Sequence, residues 1–331
     1  MAGGEGVCGP AGGVQVNVEP EQVFSALRTV LKGEVRIREP MRNHTSFRIG
    51  GPADIFIVPY NLDDLRVAVS WLREHHIDFI VIGNGTNLLV SDNGIRGAVI
   101  KLGGTLNEIE IGEEGQDGRE RGRCASIMAG AGALLPHVAR RAAEHGLAGL
   151  EFAGGIPGSV GGATVMNAGA YGCSMQDVVA GVLILREDGT LMNLDAANLG
   201  FRNRGTKLLD DGTSIVISVR LCLVKEDRDQ IIERTERLLA ERASKQPLSS
   251  PSAGCVFKNP SGGGAGRYID AAGLKGLRIG DAQVSPKHAN FIINLGNAKA
   301  SDVMALMEEV RLRVFERFGV VLEPEIRVIG G

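Results

Sequence analysis

Between Leu150 and Gly172 the chain reads LEFAGGIPGSVGGATVMNAGAYG, with seven glycines, one proline and one charge, Glu151. An ordinary loop is more polar, and an ordinary strand or helix carries far less glycine. Glycine at this density opens backbone angles closed to other residues and lets bare N–H groups approach a ligand. Phe152, Ile156, Val160, Val165 and Met166 lie between the glycines, so the stretch is expected to be packed. It suits a wall against a flat or phosphorylated cofactor; a buried set of tight turns is the alternative.

The rest of the chain bounds what surrounds this wall. Its 331 residues allow two or three domains with sizeable cores. The 47 glycines are about twice the usual share, without the period of collagen. A net charge of −3 gives no global attraction to nucleic acid or an acidic membrane. A phosphorylated small ligand needs only local donors, so it stays open. No apolar run reaches the length of a membrane span. The N-terminus MAGGEGVCGPAGG lacks a basic-then-apolar signal pattern, so a cytoplasmic protein is expected. Cys8, Cys124, Cys173, Cys222 and Cys255 form no CxxC pair, which suits reduced thiols better than a disulfide framework or a metal site.

Along the chain, residues 1–18 read as a disordered lead. Helices are expected over 19–31, 61–76 (capped by Asn61), 134–145, 229–244 and 301–318 (capped by Ser301), with a short one over 268–272. Strands are expected over 53–58, 79–82, 98–102, 126–130, 178–185, 191–194, 215–224, 291–294 and 320–329. Residues 108–123 read as an exposed charged hairpin. A glycine loop, Gly83-Asn84-Gly85-Thr86-Asn87-Leu88-Leu89, follows the strand 79–82 directly. It could place N–H groups where a pyrophosphate sits. It is neither a Walker loop nor GxGxxG opening a helix, so a tight turn between strands is its alternative.

Five stretches in this order narrow the reading: TSFRIGGPADIFIVP at 45–59, IGNGTNLLVSDNGIRG at 82–97, AGGIPGSVGGATVMNAGAYG at 153–172, SAGCVFKNP at 252–260 and LEPEIRVIG at 322–330. Together they closely resemble the UDP-N-acetylenolpyruvoylglucosamine reductase family over about residues 20–331. The resemblance implies an α+β fold: a two-part FAD-binding domain of the vanillyl-alcohol-oxidase (PCMH) type plus a smaller α+β substrate-binding domain. It divides the chain into 19–104, 105–225 and 226–319, with the strand 320–331 returning to the first part. The short connection over 205–224 resembles the shorter subgroup, which lacks an inserted tyrosine-bearing loop.

The resemblance implies NADPH-dependent reduction of an enolpyruvyl UDP-sugar to UDP-N-acetylmuramate, for peptidoglycan precursors, by a monomer acting on a small molecule. NADPH reduces non-covalent FAD; hydride then passes from flavin N5 to one carbon, and the other is protonated. The implied flavin contacts are Arg48, Ile49, Gly83, Asn84, Gly85, Thr86, Asn87, Leu88, Leu89, Ser91, Gly154, Gly155, Pro157, Gly158, Gly162, Ala168 and Gly169. Arg202, in Gly200-Phe201-Arg202-Asn203, matches the family's arginine, and Glu325 of LEPEIR its glutamate. Cys255 stands where the family often has serine. A thiol is mostly protonated at neutral pH and more acidic than a hydroxyl, so it can be the general acid; a buried inert cysteine with water as donor is the alternative. Phe201 and Arg204 also depart from the family's usual tyrosine and serine. Lys258, Asn259, Tyr268 and Lys287 are the implied substrate contacts. A flavin-dependent sugar or alcohol oxidase of the same fold and a non-catalytic nucleotide-binding module are the competing readings; FKNP and LEPEIR argue against the oxidase.

Overall fold

The computed structural model describes residues 19–116 and 123–331. The expected disordered lead and the tip of the charged hairpin lie outside them. Four strands form the first sheet in the order Glu34–Pro40, Pro52–Val58, Ile95–Lys101, Phe79–Ile82. The first pair is antiparallel and the other two pairs are parallel. A parallel pair needs a crossover, and the helix Leu62–Glu74 supplies one. Asn61 accepts from Asp64 N at its start (2.9 Å). The edge strand Glu34–Pro40 was not expected, although Val35 and Ile37 alternate with charged residues.

The second sheet is antiparallel, ordered Leu191–Asp195, Val179–Leu185, Ile215–Lys225, Arg123–Gly130, Ile109–Gln116. One apolar core joins it to the first sheet, drawing Ile57 and Ile100 together with Val138, Val160 and Leu221. Cys222, on the long central strand, is disulfide-bonded, whereas Cys173 and Cys255 are free. The expectation of reduced thiols therefore fails at Cys222.

The C-terminal lobe has the small sheet Arg278–Ile279, Ala282–Val284, Ile292–Asn294 and the helix Ala300–Phe318. Its core takes in Phe47, Ile49 and Leu89 from the first lobe beside Phe257, Leu306 and Leu322. Ser301 is not the cap of the long helix; Lys299 holds that position. The first N–H groups are capped from afar: the Asp92 carboxylate accepts from Ala300 N (2.7 Å) and Ser301 N (3.0 Å). The strand Arg327–Ile329 runs parallel to Leu88–Val90. The helix Arg228–Lys245 leans on the second lobe: Ile231 packs with Ala143 and Ala148, and Arg234 pairs with Glu151 (2.7 Å).

Candidate active site

One side of the site is backbone. Residues 83–87 leave the parallel strand Phe79–Ile82 and turn sharply. The N–H groups of Asn84, Gly85, Thr86 and Asn87 donate to no backbone acceptor among the described residues. Buried or cradled donors of this kind seek an anion, so the loop fits a pyrophosphate. Gly85 has φ +62°, and a Cβ there would lie 2.0 Å from the His44 carbonyl oxygen. Two side-chain bonds tie the loop to its neighbours: Asn84 Nδ2 donates to Pro157 O (2.8 Å) and Asn87 Nδ2 to Glu325 O (3.2 Å).

The glycine wall folds as a 3₁₀ turn, Glu151–Ala153, and a short helix, Val160–Val165. Ser159 caps that helix through Gly162 N (3.3 Å). A Cβ on Gly83 would lie 2.0 Å from the Ser159 hydroxyl, which brings the loop and the wall together. A Cβ on Gly158 would lie 3.6 Å from Thr86 Oγ1, an ordinary contact. Gly154 and Gly155 are glycines for another reason: their missing Cβ atoms would meet Thr235 at 3.2 Å and Arg242 at 2.6 Å on the helix Arg228–Lys245. Ala168 O accepts from Met175 N, and Gly169 O from Arg204 Nη1 (3.3 Å).

Not every expected flavin contact has a free side chain. Ile49 and Leu89 are buried in the C-terminal core, and Leu88 packs with Ile82 and Ile329. Ser91 accepts from Asn93 N and donates its own N–H to Ile329 O, beside the Asp92 cap. Arg48 is exposed at φ +55°.

The other side is built from charged side chains. Glu325 Oε1 lies 2.7 Å from Arg204 Nε, with both side chains largely shielded. Burial raises the Glu325 carboxyl above its ordinary range, while Arg204 and Lys258 pull it down. Arg202, the arginine implied by the resemblance, does not reach Glu325. It forms a tight turn with Gly205, and its guanidinium forks onto Asp210 in solvent (2.8 Å). Arg204 has φ +58°, which swings its side chain to the opposite side, and Thr206 anchors the next turn by donating to Val165 O (3.0 Å). The two arginines stand two residues apart, a spacing that puts both on one face of an extended chain, so spacing alone could not choose between them.

Cys255 lies between this ion pair and the C-terminal lobe, bridged to Phe291. Burial pushes its thiol up to about 11. Glu325 adds to the rise; Arg204, Arg242 and a hydrogen bond with Asn290 oppose it. The thiol lines a cavity of about 740 Å³ together with Asn259, Arg267, Lys275, Lys287 and His288. Three of these are cationic, and Arg267 and Lys275 were not expected. Asn259 accepts from Ala265 N (3.0 Å), and Lys287 donates to Ala243 O (2.6 Å). Lys258 pairs with Glu323 (3.3 Å), and Tyr268 stacks edge-on to Phe318 beside the cavity's glycine loop. Burial lowers the His288 imidazole. Among the described residues no His, Cys, Asp and Glu cluster could hold a metal, and no helix is long and apolar enough to cross a membrane.

Comparison with known proteins places both halves. Residues 53–195 match an FAD-binding domain family. Residues 246–329 match the C-terminal domain of UDP-N-acetylenolpyruvoylglucosamine reductase. The chain is 47% identical to a protein of that name from Desulforamulus reducens, over 92% of this chain and 96% of the relative. It is 38% identical to that of Bacillus subtilis, over 94% and 99%. The crystal structure of UDP-N-acetylenolpyruvylglucosamine reductase from Thermus caldophilus superposes with a TM-score of 0.73 at 36% identity, covering 90% of this chain and 99% of that one.

Proposed function

This chain belongs to the UDP-N-acetylenolpyruvoylglucosamine reductase family, an FAD-dependent oxidoreductase family, and on that premise we propose that it reduces UDP-N-acetylglucosamine enolpyruvate to UDP-N-acetylmuramate with NADPH as hydride donor. That reaction supplies a precursor of peptidoglycan. The observation carrying the catalytic part is the shielded Glu325–Arg204 pair acting on the Cys255 thiol, which lines a cavity with three cationic side chains.

The N–H groups of residues 84–87 would hold the pyrophosphate of FAD, with the Pro157–Gly158 segment alongside. FAD held there would supply the hydride chemistry between NADPH and the enolpyruvyl double bond. Arg204 draws the substrate carboxylate and the charge developing next to it. Burial raises the Glu325 carboxyl, which eases its place beside that carboxylate, while Arg204 and Lys258 oppose the rise. Cys255 Sγ gives the proton; with its thiol at about 11 it is fully protonated at neutral pH. Arg267, Lys275 and Lys287 offer charge to the diphosphate.

NADPH consumption by the purified protein, with and without the enolpyruvyl sugar, tests this. Consumption that requires the sugar is expected. A flavin-containing protein that oxidises NADPH equally without it would sink the proposed reaction.

A further inference from the structure

The parallel ladder between Leu88–Val90 and Arg327–Ile329 sets Arg327 opposite Leu88. Hydrogen bonds in such a ladder are evenly spaced, and each residue that bonds on one strand bridges two residues of the other. The ends of this ladder keep that order: Ser91 N donates to Ile329 O (2.9 Å), and Arg327 N donates to Asn87 O (2.9 Å). One step further toward the glycine loop, the same order assigns Glu325 O to the N–H of Asn87. The pattern breaks there. Glu325 O accepts from the Asn87 side chain, with Nδ2 at 3.2 Å. Among the described residues the Asn87 N–H has no acceptor. The side-chain amide has taken the place of its own backbone N–H.

This substitution has two consequences. It leaves the Asn87 N–H in line with the free N–H groups of Asn84, Gly85 and Thr86. An N–H without a partner in a half-buried loop is costly, and here a ladder acceptor stands within reach. A chain that withholds the N–H from that acceptor is arranged for one from outside. The second consequence concerns the catalytic segment. Glu325 N donates to Val256 O (2.7 Å), next to Cys255, and Lys258 N donates to Glu323 O (2.9 Å). Residues 323–327 are thus held on one edge by the cysteine-bearing segment and on the other by Asn87.

We propose that Asn87 is a positioning residue that joins the glycine loop to Glu325: its side chain replaces its own N–H in the ladder, which releases that N–H to an incoming pyrophosphate and fixes the backbone of Glu325. This deepens the proposed function and rests on residues 84–87 being the pyrophosphate loop.

The test follows amide hydrogen exchange, resolved to single residues by fragmentation mass spectrometry, in the full-length protein without and with FAD. In the FAD-free wild type the Asn87 amide is expected to exchange about tenfold or more faster than the ladder-bonded Ser91 amide. FAD is expected to slow it about tenfold. In Asn87→Ala the backbone N–H can close the ladder onto Glu325 O. Its amide, corrected for the intrinsic rate of the new side chain, is then expected to be about tenfold slower than wild type without FAD. The withdrawn donor should weaken FAD about tenfold in a fluorescence titration. An Asn87 amide as protected as that of Ser91 in the FAD-free wild type overturns the proposal without any variant. So does an Asn87→Ala amide that stays as open as the wild type's. If FAD leaves the amides of residues 84–87 unchanged in the wild type, the pyrophosphate reading fails, while the FAD-free comparison still decides whether the side chain holds Glu325 in place of the N–H.

Discussion

The two walls of the site are made of different material. The wall proposed to face FAD is backbone: residues 83–87 and 157–162, where a Cβ on Gly83, Gly85 or Gly161 would collide with its neighbours. The facing wall is side chain: Arg204, Cys255 and Glu325, drawn from three separated segments and set against each other by charge. A wall of N–H groups binds an anion of constant shape and is broken by steric change. A wall of coupled charges moves protons and is broken by changing charge at constant shape.

The largest effect should come from the second wall. Cys255→Ala is expected to cut turnover about 10³-fold, with FAD reduction by NADPH unchanged, because a general acid contributes on that scale. Single-turnover kinetics separates the two half-reactions; equal loss in both would show that this wall also builds the cofactor site.

Next comes the choice of arginine. Arg204→Met is expected to lower kcat/KM about 10²-fold, as for loss of one preorganised charge at the reacting group. Arg202→Met should stay within about twofold, since its partner is an exposed carboxylate. Steady-state kinetics with the enolpyruvyl sugar decides, and a reversed order would return the role to Arg202.

The backbone wall is sharpened by two glycines. Gly85→Ala meets the His44 carbonyl and a left-handed φ together and should weaken FAD about tenfold or more. Gly172→Ala also has a positive φ, +82°, but nothing lies within 4 Å of its Cβ. It should weaken FAD much less. Flavin titration by fluorescence measures both, and equal losses would show that dihedral strain alone is at issue.

The smallest effect concerns the joint between the lobes. Asp92→Asn removes the charge that caps Ala300 and Ser301 and should cost about 1 kcal/mol, modest because the carboxylate is largely exposed. Bonds to those N–H groups lower the folded carboxyl below its ordinary value. Asp92 therefore stabilises the fold above the unfolded carboxyl's range, and that contribution is lost as pH falls through the folded one. Thermal melts at neutral and acid pH should show the wild type and Asp92→Asn converging on acidification; a constant gap would count against the charged cap.

The two walls were unequally legible. The glycine loop after Ile82 and the run 153–172 announce themselves within a few residues, because the need for tight turns is local. Alternation and helical spacing likewise marked most of the central strands and the long helices. The short strand Leu88–Val90 escaped, since it exists only by pairing with Arg327–Ile329. The cap on the Ala300 helix escaped too, because its acid comes from residue 92. Arg242 carries no local signal at all: in sequence it is one more charge on a charged helix.

The amino-acid sequence by itself determined the β-α-β start, the glycine loop after Ile82, the glycine wall and the presence of Cys255 in the SAGCVFKNP stretch, because those depend on local backbone demands and residue identity. Only the tertiary structure decided that Arg204 rather than Arg202 meets Glu325, and that Gly155 is small to admit Arg242. Which charge is buried beside which follows from the packing of distant segments, and electrostatic partnership depends on distance and burial, neither of which is written along the chain.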